Sequence, residues 1–178
     1  MSVRTIHLLG SPVLREVSEA VGAVDRETRQ LVEDLFDTMR ADEGVGLAAN
    51  QVGIARRVAV VEVSDEPSVV LIDPVIVERD GKVRGEEGCL SIPDIYGDVD
   101  RAQRVVVETT TLDGERIRVE ATELRARVIQ HEIDHLDGVL FLDHLSPLKR
   151  RMLMKKWKKA RRGKTGYLKV VSPAAAGG

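Results

Sequence analysis

The chain has 178 residues, 43% hydrophobic and 31% charged, which suits one globular domain with an ordinary core. Its single cysteine, Cys89, excludes an internal disulfide and favours a reducing compartment, and aromatics at 3% leave the core to Val, Leu, Ile and Ala. The net charge of −2 hides an asymmetry, because residues 149–162 hold nine of the 27 basic residues and no acidic one.

The opening residues contain neither an apolar stretch of signal-peptide length nor an Arg/Ser-rich leader. No segment approaches the ~20 apolar residues of a membrane span. The protein is therefore expected in the cytoplasm. Residues 26–41 place Leu31, Leu35 and Met39 at four-residue steps beside Val32 and Phe36, which predicts an amphipathic helix with Asp25 as N-cap. "GVGLAANQVG" (44–53) reads as a small-residue loop, followed by a strand over 57–63 and another over 68–78 that Pro74 interrupts. Residues 104–121 hold two β-rich runs around Asp113 and Gly114, a hairpin signal. A helix is predicted from Thr122, with Gly138 just beyond its end, and a last one from Ser146 and Pro147 to about Gly163. The expected fold is α+β: short antiparallel β-sheets around a central metal-bearing helix, with a C-terminal helix. Residues 1–163 are expected to form a single domain that includes the basic helix 146–162 and all the candidate catalytic residues described next, and 164–178 read as a flexible tail.

The chemistry is concentrated in "HEIDH" (131–135). At 3.6 residues per turn His131 and His135 share one helix face and can hold one metal ion, with Glu132 as the base beside it. A catalytic site of this kind takes three protein ligands and keeps a fourth position open. Downstream, Phe141 occupies the slot where a metzincin has its third histidine, and no glutamate follows Glu132. The third ligand must lie upstream. Cys89, in the turn-like "EEGCLS" (86–91), supplies a thiolate suited to Zn(II) or Fe(II) beside two imidazoles.

Together, "GVGLAANQ" (44–51), "EGCLS" (87–91) and "QHEIDHLDG" (130–138) resemble peptide deformylase in order and spacing, over about residues 3–155. The resemblance implies that Cys89, His131 and His135 hold one divalent metal ion per chain. Fe(II) is the usual ion, and Zn(II), Ni(II) or Co(II) can occupy the same ligands. It makes Glu132 the general acid/base, and Gln51 and the backbone N–H of Leu90 the donors to the developing oxyanion. The implied reaction removes the formyl group from the N-terminal formyl-methionine of nascent polypeptides and releases formate. Val45, Leu124 and Glu87 match positions that line or shape the substrate pocket. Val128, one turn before His131, and Gly46, whose bare backbone lets a peptide lie close, join them as substrate-binding candidates. Arg127 is expected to turn its guanidinium outward and contribute only its stem. Some family members have an arginine near Tyr96 that can hold the peptide backbone, a contact that Tyr96 does not reproduce.

His7 and His144 read as structural or surface groups. The basic helix is either a solvated element or a dock on ribosomal RNA, with no membrane or DNA role expected. Two competing functions differ in what they require. A general zinc metallopeptidase with HExxH predicts a downstream ligand. A non-catalytic ribosome-associated metal-binding protein predicts a closed site with a fourth protein ligand.

Overall fold

The computed structural model describes residues 2–173. Helix α1 (Arg26–Ala41) starts where the Asp25 carboxylate accepts the Thr28 N–H at 2.8 Å. Its stripe of Leu31, Val32, Leu35 and Met39 is buried. That stripe packs on a three-stranded antiparallel sheet of order β2-β3-β4, made of β2 (Gly46–Ala48), β3 (Val58–Val61) and β4 (Val69–Ile72). Alternation along β3 divides the core. Val58 and Val60 face α1, whereas Ala59 and Val61 join the cluster on the opposite side. With both faces covered, β3 is apolar throughout, and each of its valines, fully buried, contributes ~1.5–3 kcal/mol.

The opposite side is covered by α2 (Glu123–Leu136), through Ala126, Ile129, Ile133 and Leu136. A second sheet, of order β5-β8-β9, comprises β5 (Val75–Asp80), β8 (Arg104–Thr110) and β9 (Arg116–Thr122). It adds Val105, Val107 and Ala121 to the same cluster. The break expected at Pro74 and the hairpin expected at Gly114 (φ 86°) are both present. After α2 the chain turns at Gly138 (φ 73°), where a Cβ would lie 2.7 Å from the Arg15 carbonyl oxygen. Only glycine fits that crossing.

The segment between the sheets differs from the sequence reading. β6 (Val83–Cys89) and β7 (Ile92–Arg101) form a long antiparallel hairpin, and Cys89 sits at its closed end, paired with Ile92. Ile92, Ile95 and Val99 pack with Phe141 and with Trp157 of α3 (Pro147–Ala160). Ser146 caps α3 by accepting the Lys149 N–H at 3.2 Å. Part of the segment read as a flexible tail is ordered: β10 (Leu168–Lys169) pairs with β1 (Ile6–His7), and Val171 is buried. Residues 174–178 of that predicted tail lie outside the described residues. Among the described residues no helix is long and apolar enough to cross a membrane.

Candidate active site

Two elements meet at the chemistry. Helix α2 carries His131 and His135 on one face, and the tip of the β6–β7 hairpin brings Cys89 to them. Cys89 Sγ lies 3.3 Å from His135 Nε2, which lies 3.2 Å from His131 Nε2. Neighbouring ligand atoms around one tetrahedral ion, with bonds of about 2.0–2.3 Å, sit ~3.5 Å apart. The three donor atoms, all within 4.8 Å of one another, therefore fit a shared cation. Burial opposes charge on both rings, yet the bonds with Cys89 and Glu87 hold the pKa of His131 well above 6.5. Burial and the neighbouring His131 drive His135 the other way, well below 6.5.

His131 is held from behind. Its Nδ1 donates to Glu87 Oε1 at 2.9 Å, which leaves Nε2 for the site. Arg101 donates to both oxygens of Glu87 at 2.9 Å each, and Arg127 adds a third arginine N–H at 2.7 Å. Burial alone pushes the Glu87 carboxyl up, but the bonds from Arg101 and His131 hold it well below the usual carboxylate range. Arg101 also reaches Asp134, which takes a 2.8 Å bond from His144. His144 is thus the outer end of a polar chain that leads inward to His131.

Arg127 turns inward, contrary to expectation. Its guanidinium bonds the carbonyls of Val83, Gly85 and Val99 as well as Glu87, clasping the hairpin to α2. Sequence reading missed this clasp and Arg101 with it, because the partners lie 14 to 44 residues apart and share no periodic signal. It also missed Asn50, whose side chain donates to the His135 carbonyl at 2.6 Å.

Glu132 is 3% exposed, and its Oε2 has no hydrogen-bond partner among the described residues. Burial pushes its pKa up to about 7, where a carboxyl can take and return a proton near neutral pH. Gly46 makes room for it, since a Cβ there would lie 2.6 Å from Glu132 Oε1 and 2.7 Å from Val128 Cγ1. Gln51, 1% exposed, is pinned at its oxygen by the Ala48 N–H at 2.9 Å. Its Nε2 lies 3.1 Å from Ser91 Oγ and 3.5 Å from Cys89 Sγ, at the edge of the cation site.

A cleft of about 570 Å³ opens onto this group. Its walls include Val45, Gly46, Leu90, Leu124 and Val128, so the sequence-predicted substrate residues come together with Cys89, His131, Glu132 and Gln51. Val45 and Leu124 are exposed apolar side chains, 44% and 52%, that nothing covers. Glu87 also reaches the wall, with both oxygens already occupied. The Tyr96 ring lies over Gly88, where a Cβ would approach it to 2.7 Å.

Comparison with known proteins agrees with this geometry. A family model for polypeptide deformylase matches residues 3–151. The peptide deformylase of Acidobacterium capsulatum is 43% identical over 166 residues, covering 91% of this chain and 98% of that protein. That of Thermomicrobium roseum is 48% identical over 153 residues, covering 82% and 87%. Among solved structures, the Ehrlichia chaffeensis peptide deformylase in complex with actinonin superposes with a TM-score of 0.87 at 39% identity, covering 91% of this chain and 99% of that one. The Legionella pneumophila peptide deformylase gives 0.85 at 39% identity, covering 90% and 96%. The chain belongs to the polypeptide deformylase family.

Proposed function

We propose that the cleft beside α2 removes the N-formyl group from the N-terminal formyl-methionine of nascent polypeptides, releasing formate, with Cys89, His131 and His135 holding one divalent metal ion. The observation that carries this reading is the convergence of those three ligand atoms beside a buried, unpartnered glutamate at the floor of a partly apolar cleft. Fe(II) is the expected ion, and a thiolate with two imidazoles also accepts Zn(II), Ni(II) or Co(II). When bound, the ion supplies Lewis acidity that lowers the pKa of water by several units and polarises a carbonyl.

The protein's own groups do the rest. Glu132 takes the proton of the attacking water and returns it to the leaving amine. Gln51 Nε2 and the Leu90 N–H donate to the oxygen that becomes negative as the carbonyl carbon turns tetrahedral. Val45, Leu124 and Val128 form the apolar wall for the methionine side chain, and Gly46 lets the peptide backbone approach. Glu87, clamped by two arginines, fixes His131 and shapes the wall. The direct test is formate release from formyl-Met-Ala-Ser by anaerobically purified protein, with metal analysis of the same sample. Stoichiometric metal without formate would overturn the assignment.

Gln51→Leu is expected to lower kcat by about 10²–10³ while changing KM little, because its bond strengthens only as charge develops. A change confined to KM would make Gln51 a substrate-positioning group. Steady-state kinetics on one formyl peptide decides between them.

The cytoplasm is the compartment where such substrates arise, and α3 offers a means of reaching them. Trp157 is buried and Leu153 and Met154 pack inward, whereas Lys155, Lys156, Lys158 and Lys159 are exposed with no acidic partner among the described residues. That charge fits ribosomal RNA. Reversing these four lysines to Glu is expected to leave turnover on a short formyl peptide unchanged and to abolish salt-sensitive co-sedimentation with ribosomes. Equal pelleting of both proteins at low salt would reduce α3 to a solvated element.

A further inference from the structure

We propose that Lys169 positions the substrate by donating a hydrogen bond to a main-chain carbonyl of the peptide beyond its second residue. This rests on the deformylase reading of the cleft. Lys169 lies outside the region that the family model matches, in β10, and its register opposite Ile6 fixes its place. The Leu8 N–H donates to the Tyr167 carbonyl at 2.7 Å, and buried Val171 anchors the strand on its other side. That register delivers Lys169 to the wall of the cleft that holds Cys89 and Glu132. There its Nζ donates to both oxygens of Asp42, at 2.7 and 2.9 Å. An ammonium has three N–H donors, so one remains, and the side chain keeps 37% of its surface exposed.

The path of the peptide follows from β2. This strand has β3 on one side and no strand on the other among the described residues. The Ala48 N–H on the open side is bonded to Gln51, and alternation places the polar backbone of Gly46 on that same side. Gly46 adjoins Glu132, and the chain leading into it, back through Val45 and Gly44, begins at Asp42. A peptide added antiparallel to this edge, formyl end at Gly46, advances about 3.3 Å per residue. Residues beyond its second then run along the cleft toward the wall that Asp42 and Lys169 share.

The acceptor is a neutral carbonyl and not a carboxylate side chain. Asp42 already balances the ammonium, and Glu43, Glu86 and Asp94 stand on the same cleft walls without ion-pair partners among the described residues. An acidic residue would meet net negative surroundings, whereas a carbonyl needs only the free donor.

The test measures kcat and KM for formate release from formyl-Met-Ala amide and formyl-Met-Ala-Ser-Ala amide, using Fe(II)-loaded native protein, Lys169→Met, Lys169→Arg and Asp42→Asn. Lys169→Met is expected to raise KM for the longer peptide about tenfold, with kcat and both constants for the shorter peptide unchanged within about twofold. Lys169→Arg is expected to restore the longer peptide's KM. Asp42→Asn is expected to keep the native length dependence, because the donor remains. An equal KM rise for both peptides, or none for the longer one, overturns the proposal. So does a matching loss in Asp42→Asn and Lys169→Met, which would make the pair a tether for the strand. Native protein that releases formate from neither peptide would overturn the deformylase reading itself, and the proposal with it.

Discussion

Glu132→Ala, purified anaerobically, is expected to keep its metal and to lose turnover by about 10²–10⁴, the range for a positioned acid/base. The residue adjoins His131 in sequence, but its carboxylate makes no bond to any of the three ligand atoms and one of its oxygens is unpartnered. Truncation removes the group that carries the proton and leaves the cation's donors untouched. Stability should not fall, because a carboxyl pushed up to about 7 by burial contributes little to holding the fold. Metal analysis, formate release and a thermal melt on one preparation are sufficient. Metal loss equal to that of His131→Ala would make Glu132 a ligand and remove the base from the mechanism.

Cys89→Ser should lose both metal and activity, and for a different reason. A neutral hydroxyl replaces a thiolate, so the cation loses its one anionic ligand at the hairpin tip while His131 and His135 remain on α2. The hairpin itself should persist, since its register is fixed by backbone pairs from Val83↔Arg101 to Cys89↔Ile92 and by the Arg127 clasp. Far-UV circular dichroism is thus expected to be unchanged while stoichiometric metal disappears. Native metal content with normal turnover would place the third ligand elsewhere.

What the sequence discloses depends on the range of the interaction. Local chemistry is legible: Asp25 caps α1, Ser146 caps α3, and Asp113-Gly114 turns the β8–β9 hairpin. The grouping of Cys89, His131 and His135 is legible too, because HEIDH is a four-residue spacing and the chain holds only one cysteine to join it. The β6–β7 hairpin is not, since "VRGEEGC" and "IPDIYGDVDR" mix charges and glycines, and β6 leaves much of both its faces in solvent. β7 does alternate, with Ile95, Val99 and Arg101 buried and Asp94, Tyr96, Asp98 and Asp100 exposed, but Gly97 and a buried arginine on the inner face blur the apolar signal. The Arg101 and Arg127 contacts to Glu87 escaped for a related reason. Each is a single charge on a polar stretch, and only the folded chain reveals that 5% and 12% of those side chains remain exposed. Lys169 lay within what composition suggests is a tail, and its order comes from pairing with a strand at the far end of the sequence.

That pairing has a consequence for how the molecule is made. β1 is translated early, yet its partner β10 leaves the ribosome more than a hundred residues later, after Gln51, Cys89, His131, Glu132 and His135. Until then Ile6 and His7 expose an unpaired strand edge, the kind of surface that recruits stray chains. Bringing such distant segments together carries the largest loop-closure entropy of any pairing in the fold, so it belongs among the last contacts to form. Synthesis interrupted after α3 would therefore yield a protein with Cys89, His131 and His135 in hand, an open edge and no Lys169 at the rim of its cleft.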